Sequence, residues 1–155
     1  MIFEEILLAS DHAGFDLKQV IKDFLREKNM KFTDLGTYTK EPCDYPVYAR
    51  KLCKELLKRE KEDKKVCGIL ICGTGIGMSI QANRFKGIRA TLCSTEYTAK
   101  MSRRHNNANV LCLGGRVLGP ELAKAIVENF LNEDFEGDRH ARRISYFDMD
   151  QLWFF

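Results

Sequence analysis

One stretch, residues 66–83, constrains the fold of this chain more than any other. It contains an apolar run over residues 69–71 that ends at Cys72, and glycines alternate with other residues directly after it. A short apolar run bounded by turn residues is typical of a strand that is buried on both faces. We therefore predict a parallel strand that leads through a glycine loop into a helix beginning near Ser79.

The glycine loop predicts an anion-binding site. Its glycines are Gly73, Gly75 and Gly77. Glycine tolerates positive φ and leaves the backbone bare, so several N–H groups can point into one concavity. The helix N-terminus that follows also favours negative charge. Because Cys72 and Thr74 stand on the rim of this loop, we predict that it is the active centre.

The rest of the chain alternates between strand-like and helical patterns. Further strands are predicted at residues 6–9, 31–35, 88–93 and 110–113, and helices at 15–25, 47–59, 95–105 and 120–131. Such alternation predicts parallel βαβ units with right-handed crossovers. The predicted fold is α/β, a three-layer Rossmann-like sandwich with a five-stranded parallel sheet, and residues 1–155 form a single domain. Asp11, Ser94 and Arg116 follow strands, so we expect them to converge with Cys72 beyond the carboxyl ends.

Composition excludes several classes of protein. The chain is 45% hydrophobic and 30% charged, as in ordinary globular domains, and its net charge of +3 is too small to indicate a nucleic-acid partner. No apolar stretch approaches the roughly 20 residues that span a bilayer. The six cysteines form no C-x-x-C pair and no metal-ligand spacing with the three histidines. We expect a reduced cytoplasmic protein, without a metal or a membrane.

Cys72 has three possible roles at this stage. A cysteine after a strand is most often core packing, but the dipoles of a glycine loop favour thiolate. The thiolate would act either as a base or as a nucleophile, which His12 or His105 would activate. A nucleotide site fits less well, because Met78 stands where the dinucleotide fingerprint requires its third glycine and no G-K-[ST] is present.

Other candidate residues also have simpler interpretations. Asp11 would serve as the N-cap of the first helix, and His12 and His105 would be ordinary surface residues. Arg139 and Arg143 stand four residues apart and share one helix face, either as a solvated basic surface or as a phosphate clamp.

Six motifs, in order along residues 5–145, resemble the type B ribose-5-phosphate isomerases of the ribose/galactose isomerase family. They are S-D-H-A-G-F at 10–15, D-Y-P at 44–46, G-I-L-I-C-G-T-G-I-G-M-S-I at 68–80, S-R-R-H-N-N at 102–107, G-G-R-V at 114–117 and R-H-x-R-R at 139–143. The resemblance implies an enzyme that interconverts ribose 5-phosphate and ribulose 5-phosphate through an enediolate, without metal or cofactor.

The resemblance also implies a role for each candidate residue. Cys72 would be the base, Thr74 would assist proton transfer, and the amides of Gly73, Gly75 and Gly77 would stabilise the enediolate. Asp11 and His105 would open the sugar ring. The pocket would be lined by His12, Tyr45 and Asn106, and the phosphate would be held by Arg116, Arg139 and Arg143. One branch of the family uses a glutamate at the position of Met78, so the resemblance is to the cysteine branch.

Members of that family are homodimers, sometimes tetramers, whose active sites combine residues of both chains. We therefore expect residues 133–155, which are basic and then aromatic, to be an extension that packs at the subunit interface. Two alternatives stay open: an isomerase of a six-carbon aldose phosphate, such as allose 6-phosphate or galactose 6-phosphate, and a non-catalytic sugar-phosphate-binding protein.

Overall fold

Five parallel strands form one sheet in the order β2-β1-β3-β5-β4. The computed structural model describes residues 2–149. The strands are β1 (Glu5–Ser10), β2 (Phe32–Asp34), β3 (Val66–Cys72), β4 (Ala90–Leu92) and β5 (Val110–Gly114). The helices are α1 (Phe15–Glu27), α2 (Tyr45–Lys61), α3 (Ile76–Ala82), α4 (Glu96–Asn106), α5 (Pro120–Asn132) and α6 (Asp138–Ile144). The predicted α/β class and five-stranded parallel sheet are confirmed.

The helices cover both faces of the sheet. Successive side chains of a strand point to opposite faces. Leu8 and Ile69 accordingly pack in a buried cluster with α1, α4 and α5, while Leu7 and Leu70 pack in a second cluster with α2 and α3. Because β1 and β3 are buried on both faces, they read in the sequence as continuous apolar runs. The three-layer arrangement is therefore as predicted.

The strand order leaves a crevice between the carboxyl ends of β1 and β3. The chain leaves β1 towards β2 on one side and returns on the other side as β3. The connections after these two strands diverge, and parallel α/β sheets bind ligands at such a reversal of strand order. Asp11 directly follows β1, and Cys72 is the last residue of β3.

Most elements differ from their predicted bounds by one to three residues. Helix α3 begins at Ile76, three residues earlier than expected, because Gly75 has a φ of 79° and turns the chain at once into the helix. It ends at Ala82 because the side chain of Asn83 leaves the helix and makes two hydrogen bonds, of 2.8 and 2.9 Å, with the backbone of Ala90. β4 lies at the edge of the sheet and spans only residues 90–92 rather than 88–93.

The longest helix, α2, has 17 residues and begins at Tyr45, two residues before its predicted start, with Pro46 in its first turn. Within residues 2–149, the structure contains no helix that is long and apolar enough to cross a membrane.

Candidate active site

A cavity of about 250 Å³ opens at the crevice between β1 and β3. Its lining residues are Asp11, His12, Ala13, Tyr45, Cys72, Gly73, Thr74, Gly77 and Arg116. All of them except Ala13 are residues that the sequence predicts for the active site. We call Asp11, His12, Tyr45, Cys72, Thr74 and Arg116 the carboxyl-edge cluster.

Cys72 lies at the bottom of this cavity with its thiol facing a backbone donor. The residue is only 5% exposed, and the N–H of Gly75 donates a hydrogen bond to its Sγ at 3.1 Å. The positive φ of Gly75 turns the chain after this N–H directly into α3. A Cβ at Gly75 would lie 2.9 Å from the carbonyl carbon of Leu113, so a larger residue does not fit. The glycine loop therefore supplies a backbone donor to the sulfur at the base of the cavity.

Backbone hydrogen bonds join the glycine loop to the loop after β5. The N–H of Gly115 donates to the carbonyl of Cys72 at 2.8 Å, and that of Arg116 donates to the carbonyl of Gly73 at 2.9 Å. The Arg116 side chain then lies over the loop, since a Cβ at Gly73 would be 3.5 Å from its Cδ and Nη1. The structure therefore places a guanidinium beside the bare backbone of the glycine loop.

Asp11 both caps a turn and faces the cavity. Its Oδ1 accepts a hydrogen bond of 3.0 Å from the N–H of Gly14, but Gly14 itself is the N-cap of α1, so the interpretation of Asp11 as the N-cap of this helix is wrong. A Cβ at Gly14 would lie 2.3 Å from the carbonyl oxygen of Ile71, so this turn can pack closely on β3. The carboxyl group is thus held in a fixed position at the mouth of the crevice.

His12 and Tyr45 close the other side of the cavity. Nδ1 of His12 lies 3.1 Å from the amide nitrogen of Cys43, so the loop after β2 fixes the imidazole. The ring of Tyr45 packs on the glycine loop, where a Cβ at Gly77 would lie 2.5 Å from it. Gly77 therefore makes room for the aromatic ring as well as exposing its own backbone.

Lys18 supports this region, although the sequence interpretation missed it. It is fully buried, pairs with Asp34 at 2.6 Å and donates to the carbonyl of Thr37 at 2.6 Å. Burial lowers the pKa of Lys18, and the contact with Asp34 partly opposes this shift. The available signal was its position one turn before Ile21, on the apolar face of α1.

The remaining predicted residues lie at the opposite edge of the sheet. Helix α4 starts at the carboxyl end of β4 and ends where β5 begins, which places His105 and Asn106 near the amino ends of the strands. Helix α6 contacts this end of α4, since His105 stacks on His140 with ring centroids 4.2 Å apart. We call His105, Asn106, Arg139 and Arg143 the amino-edge cluster. One chain does not bring it to the cavity of Cys72.

Three of the predicted phosphate ligands are free cations in the described part of the chain. Arg116, Arg139 and Arg143 are exposed, and none of them forms an ion pair with another residue of the range 2–149. Arg139 and Arg143 stand on one face of α6, as their spacing predicts. Unpaired arginines of this kind suit a bidentate phosphate contact.

Ser94 is the one strand-end residue that does not join the others. It lines a neighbouring cavity of about 330 Å³, which shares Thr74 with the first and is otherwise bordered mainly by Ile76, Leu92 and Val117. The expectation that Ser94 converges with Asp11 and Cys72 is wrong, because β4 is two strands away from β3 in the sheet.

Comparison with known proteins identifies the family. Residues 6–147 match the profile of the family described as Ribose/Galactose Isomerase. Ribose-5-phosphate isomerase B of Escherichia coli is 46% identical over 141 residues, which cover 91% of this chain and 92% of that protein. The chain belongs to the ribose/galactose isomerase family.

Solved structures of this family agree with the fold. A ribose 5-phosphate isomerase from Thermotoga maritima is 50% identical, with a TM-score of 0.88 over 93% of this chain and 97% of that chain. Ribose-5-phosphate isomerase B of Mycoplasma genitalium, solved with bound ribulose-5-phosphate, is 43% identical, with a TM-score of 0.85 over 92% of each chain. The resemblance to type B ribose-5-phosphate isomerases and the prediction of an isomerase are confirmed.

Proposed function

We propose that this protein interconverts ribose 5-phosphate and ribulose 5-phosphate through an enediolate intermediate, with Cys72 as the base and without metal or cofactor. The family membership supports the substrates, and the Mycoplasma genitalium relative holds ribulose-5-phosphate. The observation that carries the chemistry is the position of the Cys72 thiol. It lies at the bottom of the crevice, 3.1 Å from the N–H of Gly75 and among the amides of the glycine loop.

The proton transfers follow from this arrangement. In the open-chain aldose, the thiolate takes the proton from C2, and the electron pair of that bond forms the C1–C2 double bond while the charge moves to O1. The loop amides stabilise this charge, as the donors of an oxyanion hole do. The Thr74 hydroxyl moves a proton from O2 to O1, and Cys72 returns its proton to C1, which completes the ketose.

Ring opening requires a second pair of groups. One group takes the proton of the C1 hydroxyl, and another gives a proton to the ring oxygen as the C1–O4 bond breaks. We assign these tasks to Asp11 and His105. His12, Tyr45 and Asn106 contact the sugar hydroxyls, and Arg116, Arg139 and Arg143 hold the phosphate.

This assignment requires a second copy of the chain, and we propose a homodimer, or a tetramer, with its active sites between subunits. His105, Asn106, Arg139 and Arg143 of one copy would complete the cavity of the other. Exposed apolar side chains next to the cavity support such an interface, since Ile76 is 50% exposed and Val117 is 61% exposed.

The C-terminal extension, residues 133–155 of this proposed single domain, would lie at the same interface. Its described part carries the two arginines of α6, and Tyr146 and Phe147 are about half exposed. Trp153, Phe154 and Phe155 lie outside the described residues. We also propose a cytoplasmic location, in keeping with six free cysteines.

The test is the entry of solvent deuterium at C2 of ribose 5-phosphate, followed by NMR in the wild type and in Cys72→Ser. We expect exchange and ketose formation in the wild type and neither in the variant. Wild-type rates in Cys72→Ser would return Cys72 to core packing. Turnover of allose 6-phosphate or galactose 6-phosphate alone would favour the six-carbon alternative, and binding without any exchange would favour a non-catalytic binding protein.

A further inference from the structure

A compact group of polar side chains surrounds His105 and has no part in the function proposed above. The imidazoles of His105 and His140 are stacked, with their planes only 8° apart. Glu136, from the segment between α5 and α6, places its Oε2 at 3.5 Å from Nε2 of His140 and at 3.8 Å from Nε2 of His105. One carboxylate oxygen therefore faces both rings.

Glu136 is fixed in this position by two contacts with Arg104. The Nε–H of Arg104 donates to Oε1 of Glu136 at 2.6 Å, and the backbone N–H of Glu136 donates to the carbonyl of Arg104 at 3.0 Å. Burial alone would raise the pKa of Glu136, but the Arg104 hydrogen bond and charge lower it on balance, so the group is ionised near neutral pH. The charge that faces His105 is therefore permanent.

His140 is the buried member of the group. It is only 6% exposed, and its Nε2 is one of two buried side-chain polar atoms in residues 2–149 that have no hydrogen-bond partner. Burial lowers its pKa, and the positive charges of His105 and Arg139 add to this effect. A neutral imidazole is thus stacked on His105 as a flat and uncharged support. A buried polar atom without a partner requires an explanation.

We propose that Glu136 and His140 are positioning residues for His105, which hold its imidazole in one plane and in one tautomer. This inference depends on the ring-opening role that the proposed function gives to His105. A carboxylate beside Nε2 favours the tautomer with the proton on Nε2, which leaves Nδ1 available for the substrate. The stacked ring of His140 limits rotation of the His105 side chain. At 3.8 Å the carboxylate acts on His105 through its charge and not through a hydrogen bond.

A metal ion is the competing explanation for the same three side chains. Their ligand atoms all lie within 4.8 Å of one another. The two rings are parallel, however, so the lone pairs of their nitrogens run side by side and do not converge on one point. Arg104 also occupies Oε1 of Glu136 and places a positive charge beside it. Both features favour positioning over metal binding.

The first experiment is histidine ¹⁵N NMR of the whole protein, which contains three histidines. We expect the neutral form of His105 to be the Nε2–H tautomer in the wild type and a mixture in Glu136→Gln. Glu133→Gln is the matched control, because Glu133 contacts Lys100 and Arg104 but neither imidazole. An unchanged tautomer in Glu136→Gln, or tight Zn²⁺ binding by the wild type, would overturn the proposal.

The second experiment compares two reactions of the same enzyme. Ribose 5-phosphate must open its ring before isomerisation, whereas ribulose 5-phosphate has its C5 oxygen blocked by phosphate and cannot form a furanose. Glu136→Gln should slow ribose 5-phosphate turnover about 10- to 100-fold. The exchange of solvent deuterium into C1 of ribulose 5-phosphate should stay close to the wild-type rate.

His140→Phe and His140→Leu separate positioning from general damage to the structure. Phenylalanine keeps a flat ring that can stack on His105. The turnover of ribose 5-phosphate should therefore be faster in His140→Phe than in His140→Leu. The inference would be contradicted if Glu136→Gln lost as much activity on ribulose 5-phosphate as on ribose 5-phosphate. It would also be contradicted if His140→Phe and His140→Leu turned over ribose 5-phosphate at the same rate. A wild type that converts neither sugar would refute the proposed function instead, and the NMR experiment would then decide the positioning role.

Discussion

The carboxyl-edge and amino-edge clusters are built in different ways. The carboxyl-edge cluster is held mainly by backbone: the N–H of Gly75 binds the Cys72 thiol, and the carbonyls of Cys72 and Gly73 pair with the next loop. The amino-edge cluster is held by side chains, with His105, Glu136 and His140 meeting from separate segments. The first is complete within one chain. In the proposed function, the second takes part only when a second chain brings it to the cavity of the first.

The largest effect should come from the carboxyl-edge cluster. Cys72→Ser replaces the proposed base with a hydroxyl of much higher pKa, and we expect kcat to fall about 10²- to 10⁴-fold. Initial rates with ribose 5-phosphate measure this loss, and thermal unfolding shows whether the fold is kept. Cys53→Ser is the control, because burial raises the pKa of the Cys53 thiol to about 12 and the residue lies on the buried face of α2, in the core. Equal rates in the two variants would contradict the assignment.

The support beneath the carboxyl edge should be the next most sensitive point. Lys18→Met leaves the carbonyl of Thr37 without its donor and removes one of two cations from Asp34. We expect a loss of about 3 kcal/mol in the free energy of unfolding, because breaking a buried ion pair leaves an uncompensated group. Urea denaturation measures it. Lys22→Met removes the partly exposed partner of Asp34 and should lower the free energy of unfolding clearly less. A larger loss in Lys22→Met than in Lys18→Met would refute this view.

Mixing variants tests directly whether the two clusters act across subunits. Cys72→Ser and His105→Asn are each expected to be inactive, but half of the dimers formed by mixing them contain both chains and have one intact site. Co-expression should therefore restore about a quarter of the wild-type activity. Cys72→Ser mixed with Asp11→Asn, two defects in one cluster, should restore none. Two results would show that the clusters do not combine between chains: activity recovered by Cys72→Ser with Asp11→Asn, or no activity recovered by Cys72→Ser with His105→Asn.

The smallest effect concerns the amino ends of the strands, where Glu5 begins β1. Burial alone would raise its pKa, but hydrogen bonds from Thr33, Arg59 and Lys31 lower it from 4.5 to about 2. The contribution of ionised Glu5 to the free energy of unfolding is therefore present above pH 4.5 and is lost as the pH falls towards 2. Glu5→Gln should make the urea midpoint less dependent on pH in this range. Glu4→Gln, at an exposed position, should leave the dependence unchanged.

The sequence predicted most of the carboxyl-edge cluster for a physical reason. Parallel strands end at one edge, so residues that follow apolar runs must meet there, as Asp11, Cys72 and Arg116 do. Spacing could not place Ser94, because the spacing of residues along the chain does not determine the order of the strands in the sheet. Helical spacing did put Lys18 on the apolar face of α1, but lysine is usually solvated, so its burial becomes evident only from its contacts with Asp34 and Thr37.

The amino-edge cluster was less predictable from the sequence. Four-residue spacing correctly put Arg139 and Arg143 on one helix face, and the family resemblance selected His105. No local pattern could reveal that His140 stacks on His105 across 35 positions of sequence, because this contact depends on how α6 packs against α4. Element boundaries differed where a side chain such as Asn83 replaced a backbone partner.

The two hydrogen bonds between the loops after β3 and β5 have a consequence for how the protein can be observed. The amides of Gly115 and Arg116 continue the β3–β5 ladder past the ends of the strands. Loop amides normally exchange with solvent quickly, whereas these two can exchange only when the loops separate. Their hydrogen–deuterium exchange rates would therefore report the opening of the site residue by residue, in the intact protein and without any substitution.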